Sequence, residues 1–360
     1  MYSMAMSQVY KGRGASLNPA GRFNATAVEA VHDGWFQEEA PDSIATRVEA
    51  EHARSVISTN DSPDIPFEQS INPYRGCEHG CPFCFARPSH AYLGLSPGLD
   101  FETRLFYKPG AAGLLRAELG RRGYVCKPIT LGANTDPYQP IERQYAVTRS
   151  ILEVLRETRH PVTVITKGAL ILRDLDLLAE LARDGLVTVM VTLITLQNDL
   201  KRVLEPRAAS PQARLRIIEA LRAAGVPTGL LVAPVIPALT DPELEDVLAA
   251  AAAAGAARAG YVLLRLPHEL SALFRDCLQQ HFPDRAAHVM SLVQSMRGGR
   301  DNDPRFGTRM RGSGVFADLI RNRFRLACTR LGLSLGRGPE QSTALFRPPH
   351  GDPAQLDLGL

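Results

Sequence analysis

Hydrophobic residues fall in short blocks along the chain, and from residue 127 onward two kinds of block alternate. Compact runs at Lys127–Ala133, Pro161–Thr166, Val187–Leu196, Thr228–Val235 and Tyr261–Leu266 lack the in–out alternation of a half-exposed strand. They predict strands buried on both faces. Between them, apolar residues recur every three to four positions. Val147, Ile151, Val154 and Leu155 share one face of a helix predicted over Glu142–Glu157, and Leu175, Leu178 and Leu181 do so within Arg173–Asp184. Pro211–Ala224 reads as a helix stopped by Gly225, and Asp241–Ala254 opens on an Asp-Pro pair suited to a cap and first turn.

Strand and helix thus alternate about every thirty residues, the period of a parallel βα unit. With one more strand ahead of a cysteine-rich loop near residue 77, six such units are expected. Six are too few to close an eight-stranded barrel, so the expected fold is α/β, a partial and open (β/α)6 barrel of the TIM type. The barrel is expected at residues 66–267. A largely irregular segment precedes it at 1–65, with one short helix near Asp42–Ser55 and a Pro-rich linker at Ser62–Pro66, so that order begins near Phe67. A basic helical extension is expected at 268–337, outside the repeat, with helices at Val289–Met296 and Val315–Leu331, and a tail at 338–360.

At 360 residues with 45% hydrophobic content the chain can bury a large core. No apolar run reaches the roughly 18 residues of a membrane span, and the opening residues lack a basic-then-apolar leader pattern. The expected compartment is the reducing cytoplasm, with no membrane partner. Net charge is only +3 but unevenly placed: residues 297–347 carry eleven arginines against four acids. The segment Arg297–Arg337 could therefore meet the phosphates of a nucleic acid, or be an ordinary solvated helix face.

The candidate chemistry centres on Cys77, Cys81 and Cys84, spaced Cys-x3-Cys-x2-Cys and followed at once by Phe85. Three thiolates on one loop can hold three irons of a 4Fe-4S cluster and leave the fourth open to a small molecule. Zinc is the competing reading. It needs a fourth ligand from His79, His90 or Cys126, and no second Cys-x2-Cys or His-x3-His follows. A disulfide framework fits neither the size of the chain nor its half-clustered, half-scattered cysteines. In parallel α/β barrels the active site lies at the C-terminal strand ends. There the sequence places Cys77, then Asn134-Thr135-Asp136, Lys167-Gly168, Thr192 with Thr195, and Ala233-Pro234.

The run Asn72-Pro73-Tyr74-Arg75-Gly76-Cys77-Glu78-His79-Gly80-Cys81-Pro82-Phe83-Cys84-Phe85-Ala86-Arg87 resembles the radical S-adenosylmethionine (SAM) core of the spore photoproduct lyase-related family, often described as DNA repair photolyase-like. Asn134-Thr135-Asp136-Pro137, Leu204-Glu205-Pro206-Arg207 and Ala233-Pro234-Val235-Ile236-Pro237 extend the resemblance over about residues 67–266. Beyond it, Met296-Arg297-Gly298-Gly299-Arg300 is similar to a bacterial branch of the family.

The resemblance implies that Cys77, Cys81 and Cys84 ligate the cluster and that SAM binds the open iron. One electron from a flavodoxin- or ferredoxin-type partner would then release methionine and a 5′-deoxyadenosyl radical, which abstracts hydrogen from a substrate. It further implies that Phe85 lies against the adenine, that Thr135 and Asp136 contact SAM, that Lys167 pairs with the SAM carboxylate, and that Thr192 approaches the ribose. A nucleic acid is the expected substrate class. The same chemistry on a protein or small metabolite, or a non-catalytic metal-bearing nucleic-acid binding module, are the alternatives. One departure stands out. The spore lyase returns hydrogen from a cysteine at the end of the second strand, where this chain has Gly132-Ala133-Asn134. Cys126 is expected at the wrong rim, Cys328 could reach the site only if the tail folds over it, and Tyr138 or Tyr92 would be substitute donors.

Overall fold

A computed structural model describes residues 9–24, 42–335 and 341–349. Its strands are β1 (Arg47–Ala50), β2 (Ile57–Thr59), β3 (Gln69–Ile71), β4 (Tyr74–Arg75), β5 (Arg104–Tyr107), β6 (Ile129–Leu131), β7 (Val162–Thr166), β8 (Val187–Thr192), β9 (Thr228–Val235), β10 (Arg258–Leu263) and β11 (Ser334–Leu335). Its helices are α1 (Asp100–Thr103), α2 (Ala111–Leu119), α3 (Glu142–Tyr145), α4 (Val147–Glu157), α5 (Leu175–Arg183), α6 (Asn198–Leu204), α7 (Pro211–Ala223), α8 (Leu244–Ala254), α9 (Leu270–His281), α10 (Pro283–Ser295) and α11 (Val315–Leu331).

The main sheet runs β11-β10-β9-β8-β7-β6-β3-β2, parallel throughout except for the antiparallel β2. Among the described residues β2 and β11 do not pair, so the barrel is partial and open. The six expected parallel strands are β3, β6, β7, β8, β9 and β10. Their residues Ile71, Leu131, Val164, Val189 and Leu230 are completely buried against helix faces such as Ile151, Leu152, Val154 and Leu155 of α4. Each such side chain contributes about 1.5–3 kcal/mol on burial, which explains why the patterning alone located the repeat.

Three expectations are corrected. The helix predicted over Asp42–Ser55 is absent. Arg47–Ala50 instead pairs with β5, whose other edge takes β4, so an open sheet edge overrides a weak local helical pattern. The single helix predicted over Glu142–Glu157 is two, broken at Ala146 with φ 50°. The Glu142 carboxylate accepts the Thr148 and Arg149 amides at 2.9 and 3.3 Å, capping α4 from the preceding turn. Finally, α11 is not outside the repeat: it packs on α8 and leads into β11, a further parallel strand beside β10.

The remaining helices of the extension, α9 and α10, build a second core. Leu270, Leu273, Phe274, Val289 and Val293 pack with Cys81 and Phe83 of the cysteine loop and with Ile236 and Leu264 at strand ends. The extension thus covers the rim that carries the chemistry. At the opposite rim the tail docks through Gln341 Nε2 on the Val162 carbonyl at 2.8 Å and Phe346 against Tyr124 and His160. Arg337, the end of the expected basic segment, lies outside the described residues.

Candidate functional site

The cysteine loop follows β4 directly and is folded by two glycines in the left-handed region, Gly76 at φ 73° and Gly80 at φ 70°. A β-carbon on Gly80 would stand 2.5 Å from Glu102 Oε2, and one on Gly76 would stand 2.8 Å from the Phe101 carbonyl. No other residue fits either place without displacing backbone or a fixed carboxylate. Cys77 is anchored by its amide on Phe101 O at 2.9 Å. Cys77 and Cys81 are 7% and 5% exposed, and Cys84 is half buried.

The loop is braced from beneath by one arginine. Arg87 is completely buried and donates to four carbonyls, those of Gly80, Cys81, Pro97 and Gly98, at 2.8–3.2 Å. Its remaining partner is Glu102 Oε1 at 2.6 Å. Glu102 in turn accepts the Gly14 and Ala15 amides, while Arg13 reaches the Glu102, Ile44 and Thr46 oxygens. Residues 13–18 therefore form a strap across the loop. Gly14 lies so close that a β-carbon would meet the Gly80 carbonyl at 1.7 Å. On the other side, Gln139 links the Gly76 carbonyl to the Glu78 amide, and Arg207 pairs with Glu78 at 2.9 Å.

Strand ends deliver the other expected residues to the same place. Asp136, after β6, accepts the Thr166 hydroxyl and the Lys167 amide at 2.6 and 2.8 Å and stands 3.4 Å from His79 Nδ1. Burial works to raise its pKa, but the charge of His79 and these hydrogen bonds outweigh it and bring the carboxyl to about 2. The Thr135 hydroxyl donates to the Tyr74 carbonyl at 2.9 Å. Lys167, after β7, places its ammonium 3.6 Å from Cys81 Sγ and 2.7 Å from Glu205 Oε1. Glu205 Oε2 lies 2.5 Å from Arg214 Nη2, a contact of charge rather than an aligned hydrogen bond. Arg214 also donates to the Thr192 carbonyl at 3.1 Å, so the β8 end joins the same network. Burial opposes the Glu205 charge, yet Arg214 and Lys167 hold its carboxyl at about 2. For Lys167 burial is likewise outweighed, by Cys81 and Glu205, and its pKa lies above the ordinary lysine value.

Burial pushes the Cys81 thiol up to about 12, partly countered by Lys167, and raises Cys77 well above the usual range with help from Asp136. Phe85 differs from its neighbours: it is 49% exposed and faces Arg265 at the β10 end, 5.9 Å away.

The chain matches the Radical SAM superfamily over residues 71–251, half of its length. It belongs to the radical SAM superfamily. Members of this family use a 4Fe-4S cluster together with SAM. An uncharacterized protein of Mycobacterium tuberculosis is 40% identical over 232 residues, covering 64% of this chain and 68% of the relative. Another, from Methanocaldococcus jannaschii, is 27% identical over 173 residues, 48% of this chain and 62% of the relative. Among solved structures, spore photoproduct lyase in complex with dinucleoside spore photoproduct superposes with a TM-score of 0.59 at 15% identity, over 80% of this chain and 81% of that one. The likeness shows the partial-barrel fold.

Against this radical SAM fold, the expected alternative hydrogen donors are scattered. Tyr92 is 70% exposed and stacks on Phe23, with their ring centroids 4.9 Å apart. Tyr138 is buried beside Asp174 and Glu142, with burial raising its phenol far above the ordinary value. Cys328 is buried inside α11 against the main core. Much of the arginine-rich segment is also committed internally. Arg297 donates to the Leu263, Leu264, Thr308 and Arg309 carbonyls, Arg309 pairs with Asp64, and Arg323 with Glu245.

Residues that sequence reasoning passed over are Arg87, Glu102, Gln139, Glu205 and Arg214. Glu205 and Arg87 had a signal, the Leu-Glu-Pro-Arg run and the end of the cysteine run. Glu102, Gln139 and Arg214 are single polar residues that no quoted run marked. Among the described residues no helix is long and apolar enough to cross a membrane.

Proposed function

We propose that this chain is a radical SAM enzyme whose Cys77, Cys81 and Cys84 ligate three irons of a 4Fe-4S cluster and whose substrate is a nucleic acid. The observation that carries the cluster assignment is the loop itself: three cysteines held by Arg87, Glu102 and two left-handed glycines, with a lysine ammonium against Cys81 Sγ. Support for a cluster over a single zinc ion comes from the family: the loop lies within the radical SAM match over residues 71–251, and members of that family use a 4Fe-4S cluster with SAM.

When bound, the cluster and SAM together supply a 5′-deoxyadenosyl radical able to take hydrogen from an unactivated C–H bond, with the electron drawn from a flavodoxin- or ferredoxin-type partner. The protein's part is positional. The Lys167–Glu205–Arg214 network fixes an ammonium beside Cys81, suited to the carboxylate of SAM. Asp136 is held ionised and orients His79 and the Lys167 backbone. Thr135 and Thr192 fix the ends of β6 and β8 around that space, and Phe85 offers an open aromatic face for the adenine. The nucleic-acid reading draws support from the fold shared with spore photoproduct lyase and from aromatic and arginine side chains at the barrel mouth.

Electron paramagnetic resonance on anaerobically reconstituted, dithionite-reduced protein tests the reading. A reduced 4Fe-4S signal that changes on adding SAM is expected. A cluster signal indifferent to SAM, or zinc in place of iron, refutes it.

A further inference from the structure

The barrel mouth holds a cation that the cluster site does not use. Arg265 follows the end of β10 by two residues and is half buried. Its guanidinium lies over Phe85 on one side and donates to Met310 Sδ at 3.4 Å on the other. Nε is buried and meets no acceptor, and among the described residues no carboxylate stands within ion-pair distance. Burial first, then the charge of Arg309, lowers its pKa, with Asp64 acting the other way. A half-buried arginine with no direct ion-pair partner costs free energy that a bound anion would recover.

The surroundings are built to hold it there. Buried Arg297 ties the loop at 305–311 to the β10 end by donating to the Thr308 and Arg309 carbonyls and to those of Leu263 and Leu264. The Leu263 amide donates to Met310 O at 3.0 Å, which completes the seam. This brings Arg309 and the exposed Phe306 to the mouth, stacked at 4.6 Å. Arg309 is occupied: its Nε and Nη2 donate to Asp64 at 2.8 and 2.5 Å, and the Gly307 amide reaches the same carboxylate. Asp64 comes from the β2–β3 connection, at the opposite end of the sheet from β10. The ion pair therefore spans the gap that leaves the barrel open.

Two arginines beside the exposed Phe306, with Phe85 left to the adenine of SAM, match the chemistry of single-stranded nucleic acid, phosphate beside a base that stacks. We propose that Arg265 is the phosphate seat of the substrate site, and that Asp64 is a built-in competitor on Arg309 which an entering nucleic-acid phosphate displaces. The proposal rests on the nucleic-acid reading above and adds the residues that recognise the substrate.

The test is anaerobic fluorescence anisotropy of a short fluorescein-labelled oligothymidylate with the reconstituted holoprotein across a potassium chloride series. R265Q is expected to weaken binding about tenfold, the loss of one charged hydrogen bond, and to lower the salt slope by about one. D64N, which frees Arg309, is expected to tighten binding severalfold and to raise the slope. R325Q, on the exposed face of α11, is expected to bind as the wild type does. Unchanged affinity and slope in R265Q, weaker binding in D64N, or no binding by the wild type each overturns the proposal. Failure of the radical SAM reading is seen separately, in the wild-type cluster signal and its response to SAM without oligonucleotide.

Discussion

Replacing Glu205 by glutamine removes one charge from the centre of the cysteine site and keeps its shape. Glu205 is completely buried, 2.7 Å from the Lys167 ammonium and 2.5 Å from the Arg214 guanidinium. At an effective dielectric constant of about 20, each contact is worth roughly 6 kcal/mol of gross attraction. Part of this loss is offset because a buried carboxylate no longer has to be desolvated, a cost of several kcal/mol. Two buried cations would be left facing each other, so the net destabilisation is expected at about 3–5 kcal/mol, the range for breaking a buried pair. Urea unfolding of the anaerobic protein, followed by far-ultraviolet circular dichroism, reads it as a lower midpoint. Lys167→Met combined with Glu205→Gln removes one of the stranded cations, and the double variant should be destabilised by less than the sum of the singles. A loss below about 1 kcal/mol for Glu205→Gln, or simple additivity, would refute the claim that the carboxylate bridges both cations.

Cys81→Ala is expected to reduce iron bound after reconstitution to background, while Cys126→Ala keeps the wild-type iron content; equal loading in both would remove the loop as the cluster site. Gly80→Ala places a methyl group 2.5 Å from Glu102 Oε2 at φ 70°, so it should lower iron loading as well as stability. Gly94→Ala has a similar φ of 68° but open space around it, and should cost only about 1–2 kcal/mol of backbone strain; identical behaviour of the two variants counts against the strap. His160 is buried with Tyr124 and the Pro161 carbonyl on its two nitrogens, and burial lowers its pKa from 6.5 to about 4. The folded state resists protonation that the unfolded chain accepts, so this contribution is complete above pH 6.5 and is lost as pH falls toward 4. The loss amounts to about 3 kcal/mol. His160→Gln should remove that share of the acid sensitivity in urea titrations at pH 7 and pH 4, and an unchanged difference between the two pH values would contradict it.

What the sequence made legible follows from range. The strands at Pro161–Thr166 and Thr228–Val235 were evident because burial on both faces writes itself into consecutive residues. The cysteine loop was evident because its ligand spacing is local. The strap was not, because Gly14 and Ala15 meet Glu102 across almost ninety residues, and nothing near residues 13–18 marks them as buried. The helix expected over Asp42–Ser55 failed for the same reason: the β5 edge that recruits Arg47–Ala50 lies far along the chain. The arginine-rich segment was legible only in part. Its composition suggested a phosphate-binding face, yet Arg297 satisfies buried carbonyls and Arg323 serves Glu245. Charge counts report residues, whereas binding needs cations left without partners.

That distinction bears on how a reaction at this site ends. The donor cysteine that the resemblance would place at the second strand end has no counterpart here: Ala133-Asn134 follows β6, with the Asn134 amide bound to the Asn72 side chain. The other cysteines lie elsewhere. Cys126 precedes β6 at the far rim, Cys277 is buried in α9, and Cys328 is packed in α11. Tyr138 sits below the rim against Asp174, and Tyr92 is held on the outer surface by Phe23 and Arg22. The end of β6 therefore holds no thiol, and the three cysteines proposed to bind the cluster stand without the hydrogen donor that the resemblance would supply. A fold shared with a repair enzyme does not carry over its final step, because that step depends on one side chain at one strand end.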